Sequence, residues 1–103
     1  MERLSFQFNS LRPAAGTRAL ALVGVVASGN LEVLLERTAQ PDCCTIDIAT
    51  AMGGFADLWR AVLGDFVARR NAGGLRISIN DAGARPDTVM LRLSQGARLM
   101  ERE

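Results

Sequence analysis

The chain has 103 residues, 49% of them apolar and 22% charged, with a formal net charge of +1 at pH 7. That is a globular composition, long enough for one core and too short for two. Near-neutral charge, 5% aromatic content and no basic stripe leave nucleic-acid binding without an electrostatic footprint, and the absence of histidine removes the commonest general base and metal ligand.

Leu4, Phe6 and Phe8 alternate with Ser5 and Gln7, a period of two, so residues 3–8 are expected to form a half-buried strand. Asn9 to Thr17, with Pro13 and Gly16, reads as a loop. Ala19 to Val26 is a near-continuous apolar run and fits a central strand. Arg12 and Arg18 ahead of it raise the possibility of a secretory signal, but Glu2 and the alternating strand upstream do not resemble its charged leader. The run is also far too short to span a membrane. Ser28-Gly29-Asn30 then reads as a tight hairpin connection, with Gly29 and Asn30 tolerating positive φ.

Leu31 to Arg37 is the returning strand, kept partly polar by Glu32 and Glu36, and Thr38 to Asp42 is a turn containing Pro41. Cys44, Ile46 and Ile48 alternate with Thr45 and Asp47, giving a fourth strand. The adjacent Cys43 and Cys44 do not match the spacing of zinc or redox sites. They are expected to be reduced thiols in a cytoplasmic protein, one of them packed inward.

After Gly53-Gly54, residues Phe55, Leu58, Trp59, Val62, Leu63, Phe66 and Val67 fall on one helical face. Trp59 and the phenylalanines are its expected core anchors. Arg69 and Arg70 suit the negative end of the helix dipole, and Asn71, Gly73 and Gly74 stop the helix. Gly64 inside it costs roughly 1 kcal/mol against alanine, which suggests close packing at that point. Leu75, Ile77 and Ile79 form another strand, and Asn80-Asp81-Ala82-Gly83 reads as an exposed turn. Pro86 suits the first turn of a helix running to about Glu101. Beyond it Met90, Leu93, Ala97 and Met100 follow helical spacing, whereas Val89, Leu91 and Leu93 alternate like a strand, and the helix is the reading chosen. The order β-β-β-β-α-β-α argues one small α+β domain over residues 1–103, its mixed or antiparallel sheet carrying both helices on one face.

Ser28 stands alone in a bend of small residues, exposed for chemistry. It has neither a histidine nor a lysine to activate it, because the chain contains neither. A self-sufficient serine nucleophile needs a base and an oxyanion hole, so stand-alone hydrolysis is not expected. Glu32, Glu36, Asp47, Asp81 and Asp87 show no spacing with a mechanism attached, and the glycines form no phosphate-binding fingerprint leading into a helix. Ser28 is therefore either a plain turn residue of an interaction subunit or a hydroxyl that another protein modifies.

Three segments, GVVASGNLEVLLE, GGFADLWRAVL and ISINDAGARPDTVMLRL, together resemble the acyl carrier (delta) subunit family of bacterial malonate decarboxylase. The resemblance runs from Leu4 to about Ala97 and extends more weakly to the citrate lyase acyl carrier (gamma) subunit, the alternative family. It implies that Ser28 bears 2'-(5''-phosphoribosyl)-3'-dephospho-CoA through a phosphodiester, with Gly29 and Asn30 forming the attachment turn. The thiol of that group would carry acetyl and malonyl while malonate is converted to acetate and carbon dioxide. The implied partners are an acetyl/malonate transferase subunit, the decarboxylase subunits, a malonyl transferase and the prosthetic-group transferase, in a cytoplasmic hetero-oligomer without membrane or nucleic acid. Asn30 stands where the family is expected to carry aspartate, and both residue types favour the turn. Asn80, Asp81 and Gly83 are read first as a structural turn and only second as an exposed partner contact, and Cys43, if near the bend, is a thiol to be confused with the arm's.

Overall fold

The computed structural model describes residues 1–10 and 12–102; Leu11, assigned above to the first loop, and Glu103, the last residue of the expected domain, lie outside the described residues. Strands β1 (Glu2–Asn9), β2 (Leu20–Gly24), β3 (Leu31–Arg37), β4 (Cys43–Thr50) and β5 (Leu75–Asp81) form one sheet in the order β1-β4-β5-β3-β2. Helix α1 (Ala56–Arg69) precedes β5, and α2 (Pro86–Met100) follows it. Only β4 and β5 pair in parallel; the other neighbours are antiparallel, so the sheet is mixed and the architecture α+β. The parallel pair needs a long crossover, and the segment containing α1 supplies it.

The register explains the core. Phe6, Ile46, Ile77, Leu35 and Ala21 stand side by side across all five strands, and Leu4, Ile48, Ile79, Val33 and Val23 form the next row. Trp59, Leu63, Phe66 and Val67 of α1, with Val89, Leu93, Ala97 and Met100 of α2, close over this face. The other face carries Glu32, Glu36, Asp47 and Arg76, so alternation in sequence becomes separation of core from surface. Arg37, at the end of β3, donates to the carbonyls of Ala14, Ala15, Arg18 and Met100. That one guanidinium ties the first loop to the last turn of α2, where a carbonyl has no partner within the helix.

Four expectations need correction. The run ending at Val26 is not a central strand: β2 is an edge strand that stops at Gly24. Ala21 packs inward while Leu20, Leu22, Val25 and Val26 are exposed. An apolar run reports two unfavourable faces, not which strand covers them. Second, Phe55 and Leu58 are each 46% exposed, because the first turn of α1 borders an open cleft instead of the core. Third, Asn80 and Asp81 belong to β5, and Asp81 is buried. Fourth, close packing at a helical glycine occurs at Gly96, not Gly64. A Cβ on Gly64 would meet Phe8 at an ordinary 3.6 Å, whereas one on Gly96 would run into the buried Leu35 side chain.

The two glycines should therefore respond oppositely to alanine. Gly64→Ala is expected to raise stability by about 0.5–1 kcal/mol through helix propensity. Gly96→Ala should lower it by about 1–3 kcal/mol, because Leu35 is enclosed and must leave its rotamer. Urea midpoints of the two variants check the pair, and an equal response would show that propensity alone governs both sites.

Candidate functional site

Ser28 lies in the connection Val25–Asn30, longer than a two-residue hairpin because β2 ends early at Gly24. Gly24 has φ +81°, and a Cβ there would collide with the carbonyl oxygen of Leu31. Only glycine permits that approach, which turns the chain out of the sheet. The connection then closes with a β-turn in which Asn30 N–H donates to Ala27 C=O at 2.8 Å. Gly29, with φ +75°, sits third in this turn, and among the described residues no non-glycine residue has positive φ. These angles make a type II turn with Ser28 at its second position; of the two residues able to tolerate positive φ, Gly29 adopts it and Asn30 does not.

The turn is fastened on one side and open on the other. Gly29 N–H donates to Ala82 C=O, and Ala82 N–H donates to Asn30 C=O, each at 2.9 Å. Asn30 Oδ1 accepts from the N–H of Leu31 at 2.8 Å and from Arg92 Nε at 3.4 Å. Ser28 is exposed and its hydroxyl has no hydrogen-bond partner among the described residues. A Cβ added at Gly29 would meet nothing within 4 Å, so the space beside the serine is free. That combination suits a hydroxyl to which a large group is joined.

Asp81 holds the other half of the site. It stands opposite Thr50 in the β4–β5 pairing and is 5% exposed. Its Oδ2 accepts from Thr50 Oγ1 at 2.8 Å and from Gly83 N–H at 3.2 Å, while Oδ1 accepts from Ala84 N–H at 2.9 Å. The carboxyl group thus shapes the segment that carries Ala82 to the Ser28 turn. It is an internal brace, in keeping with a structural role, but it is not exposed as the turn reading supposed; Asn80 alone of the two is exposed. Beside it lies an apolar cleft of about 220 Å³ rimmed by Met52, Phe55 and Leu58 and floored by Trp59.

Cys43 and Cys44 are free, and Cys44 is the one packed inward. Burial, and secondarily the neighbouring Cys43, push the Cys44 thiol up to about 12, so it stays protonated and unreactive at neutral pH. Cys43 pairs with Asn9 at the far end of β4, whereas the Ser28 turn adjoins the end bearing Thr50 and Asp81. Seven residues at ~3.3 Å each separate those ends by roughly 20 Å, so Cys43 is not beside the bend. Among the described residues no group of three or more Cys, Asp or Glu side chains could hold a metal, and no helix is long and apolar enough to cross a membrane.

Sequence reasoning found Ser28, Gly29 and Asn30 together, and the structure places all three on one turn. It missed Gly24, although a lone glycine inside a strand pattern is a recognised sign of close backbone approach. Arg92 and Thr50 carried no local signal, since each acts on a residue distant in sequence.

Comparison with known proteins converges on this architecture. A family model described as malonate decarboxylase delta subunit (MdcD) matches residues 18–100. A malonate decarboxylase acyl carrier protein of Bradyrhizobium diazoefficiens is 59% identical over 95% of this chain and 93% of its own length. One from Xanthomonas axonopodis pv. citri is 50% identical over 98% of this chain and 96% of its own. A chain in the crystal structure of a Pseudomonas malonate decarboxylase hetero-tetramer in complex with malonate matches with a TM-score of 0.86 and 41% identity, covering 97% of this chain and 99% of that one.

Proposed function

This chain belongs to the malonate decarboxylase delta-subunit family, and from that premise we propose that it is the acyl carrier subunit of a malonate decarboxylase, with Ser28 as its attachment residue. The observation that carries the assignment of Ser28 is its unpartnered, exposed hydroxyl at the second position of a turn whose next residue leaves open space. The group assigned to it is 2'-(5''-phosphoribosyl)-3'-dephospho-CoA, joined through a phosphodiester. When bound, that group supplies a thiol that carries acetyl and malonyl as thioesters, so the demanding chemistry belongs to the cofactor and to the other subunits.

The residues of this chain present, orient and tether. Gly24 turns the loop away from the sheet, Gly29 keeps its crest clear, and Ala82 holds the turn from behind. Without histidine or lysine, the chain brings no base of the usual kind to Ser28; the transferase that loads the carrier accepts the hydroxyl proton. Tethering then replaces diffusion between active sites by an intramolecular encounter at roughly millimolar effective concentration. The partners follow from that work: an acetyl/malonate transferase subunit, the decarboxylase subunits, and the malonyl and prosthetic-group transferases, in the cytoplasm.

Coexpression with the prosthetic-group transferase and the enzyme that makes its precursor tests the reading. Intact mass spectrometry should show one adduct of nucleotide-plus-pantetheine size, mapped by peptide digestion to the segment containing Ser28. A wild-type chain left unmodified while the same cells modify a control carrier would overturn it.

A further inference from the structure

Arg92 is a half-buried arginine of α2 whose side chain runs beneath the Ser28 loop. Its δ-carbon lies 3.5 Å from the position of a Cβ on Gly24, at the start of the loop, and its Nε donates to Asn30 Oδ1 at the end of it. Nη1 donates to Gln95 Oε1 at 2.9 Å. Among the described residues no carboxylate lies within ion-pair distance of Arg92; the ion pairs are Arg69–Asp65 and Arg76–Asp47, both elsewhere. Glu32 is turned to the opposite sheet face, where Asn80 donates to it. Arg92 is thus a half-buried cation with two neutral acceptors and, among the described residues, no counter-ion. Partial burial of a charge costs free energy that an anion nearby would offset.

We propose that Arg92 is the anion-binding residue of the Ser28 site, its guanidinium pairing with the phosphodiester that joins the prosthetic group to Ser28 Oγ. The inference rests on Ser28 being the attachment residue. Ser28 and Asn30 are two residues apart, so their Cα atoms stand at most about 7.6 Å from each other at 3.8 Å per step. Arg92 already reaches Asn30, and a rotation of its outer torsions carries the fork toward the serine. A phosphodiester bears one negative charge at neutral pH and two free oxygens, which a planar guanidinium meets in bidentate fashion. The neutral side chain at Asn30 leaves that charge available, where a carboxylate would compete for it.

The test compares loaded and unloaded carrier for wild type, Arg92→Gln and Arg92→Lys, with occupancy checked by intact mass. Loading should raise the wild-type melting temperature by about 4 °C, a gain lost in 1 M salt, because the new contact is an ion pair at a partly exposed site. Arg92→Gln should gain nothing on loading, and Arg92→Lys, which keeps the charge without the fork, about half. The ³¹P resonance of the phosphodiester should be displaced from its free-arm position in wild type and return to it in Arg92→Gln. Identical ³¹P positions and identical thermal shifts in wild type and Arg92→Gln would overturn the role of Arg92 while leaving Ser28 intact. Absence of any adduct on wild type would instead remove the attachment reading on which it rests.

Discussion

Ser28→Ala is expected to abolish attachment of the prosthetic group, and with it all malonate decarboxylation by a complex assembled on the variant. The effect should be all-or-none, because the bond is made through one oxygen atom and the tether has no substitute for it. Stability should hardly move. Ser28 is exposed and makes no hydrogen bond among the described residues, and alanine is compatible with the second position of a type II turn. The unfolding free energy should therefore stay within the range of a neutral surface substitution, about ±0.5 kcal/mol. Ser28→Thr provides the graded control: a hydroxyl remains, but its added methyl crowds the approach, so loading should slow without vanishing. Intact mass, melting temperature and the decarboxylation rate of the reconstituted complex read the three outcomes separately. An adduct of unchanged mass on Ser28→Ala would move the site elsewhere. Digestion would identify the new position, since cleavage after Arg37 puts Ser28 and Cys43 on separate peptides.

Asp81→Ala is expected to be the most destabilising single change near the site. It removes three hydrogen bonds at once and leaves Thr50 Oγ1, fully enclosed, without its carboxyl partner. Orphaning two backbone N–H groups and leaving the buried Thr50 hydroxyl with only its longer contacts to Met52 should cost about 3 kcal/mol, partly relieved where water reaches the freed amides. For a domain of this size that corresponds to a fall in melting temperature of roughly 12 °C or more. Asp81→Asn retains an acceptor and should cost about 1 kcal/mol, and Thr50→Val a similar amount. The double variant Thr50→Val/Asp81→Asn should show non-additivity, as expected of residues that share a hydrogen bond. A second consequence concerns Ser28. Ala82 follows Asp81 and is bonded to Gly29 and Asn30, so a loosened brace should also slow loading of the carrier. Unchanged thermal stability in Asp81→Ala would show that the turn is held by the sheet pairing alone.

The elements themselves were legible because their signals are local. Leu4, Phe6 and Phe8, or Leu75, Ile77 and Ile79, alternate with a period that only a strand can use, and the heptad-like recurrence from Phe55 to Val67 can face a core only as a helix. The ambiguous segment after Pro86 is helical throughout, because Val89, Leu93, Ala97 and Met100 share the buried face. The strand-like alternation of Val89, Leu91 and Leu93 is accidental: Leu91 is 52% exposed. Phe55 and Leu58 were misread for a different reason. Periodicity gives the direction of a side chain around the helix axis, but the neighbouring layer stops short of the first turn of α1.

The family resemblance, the strand and helix identities and the small residues around Ser28 could all be read along the chain, since each depends on residues within a few positions of one another. Sheet order, and everything that follows from it, could not. That β2 lies at an edge, that Asp81 meets Thr50 across 31 positions, and that Arg92 meets Asn30 across 62 depend on the parallel β4–β5 crossover and on how α2 lies over the sheet. Such pairings are selected by the packing of whole faces, and no local pattern encodes which remote partner a face will find. The chain announces an exposed serine in a bend; the folded molecule supplies the glycine that turns the bend outward, the brace behind it and the uncompensated charge beneath.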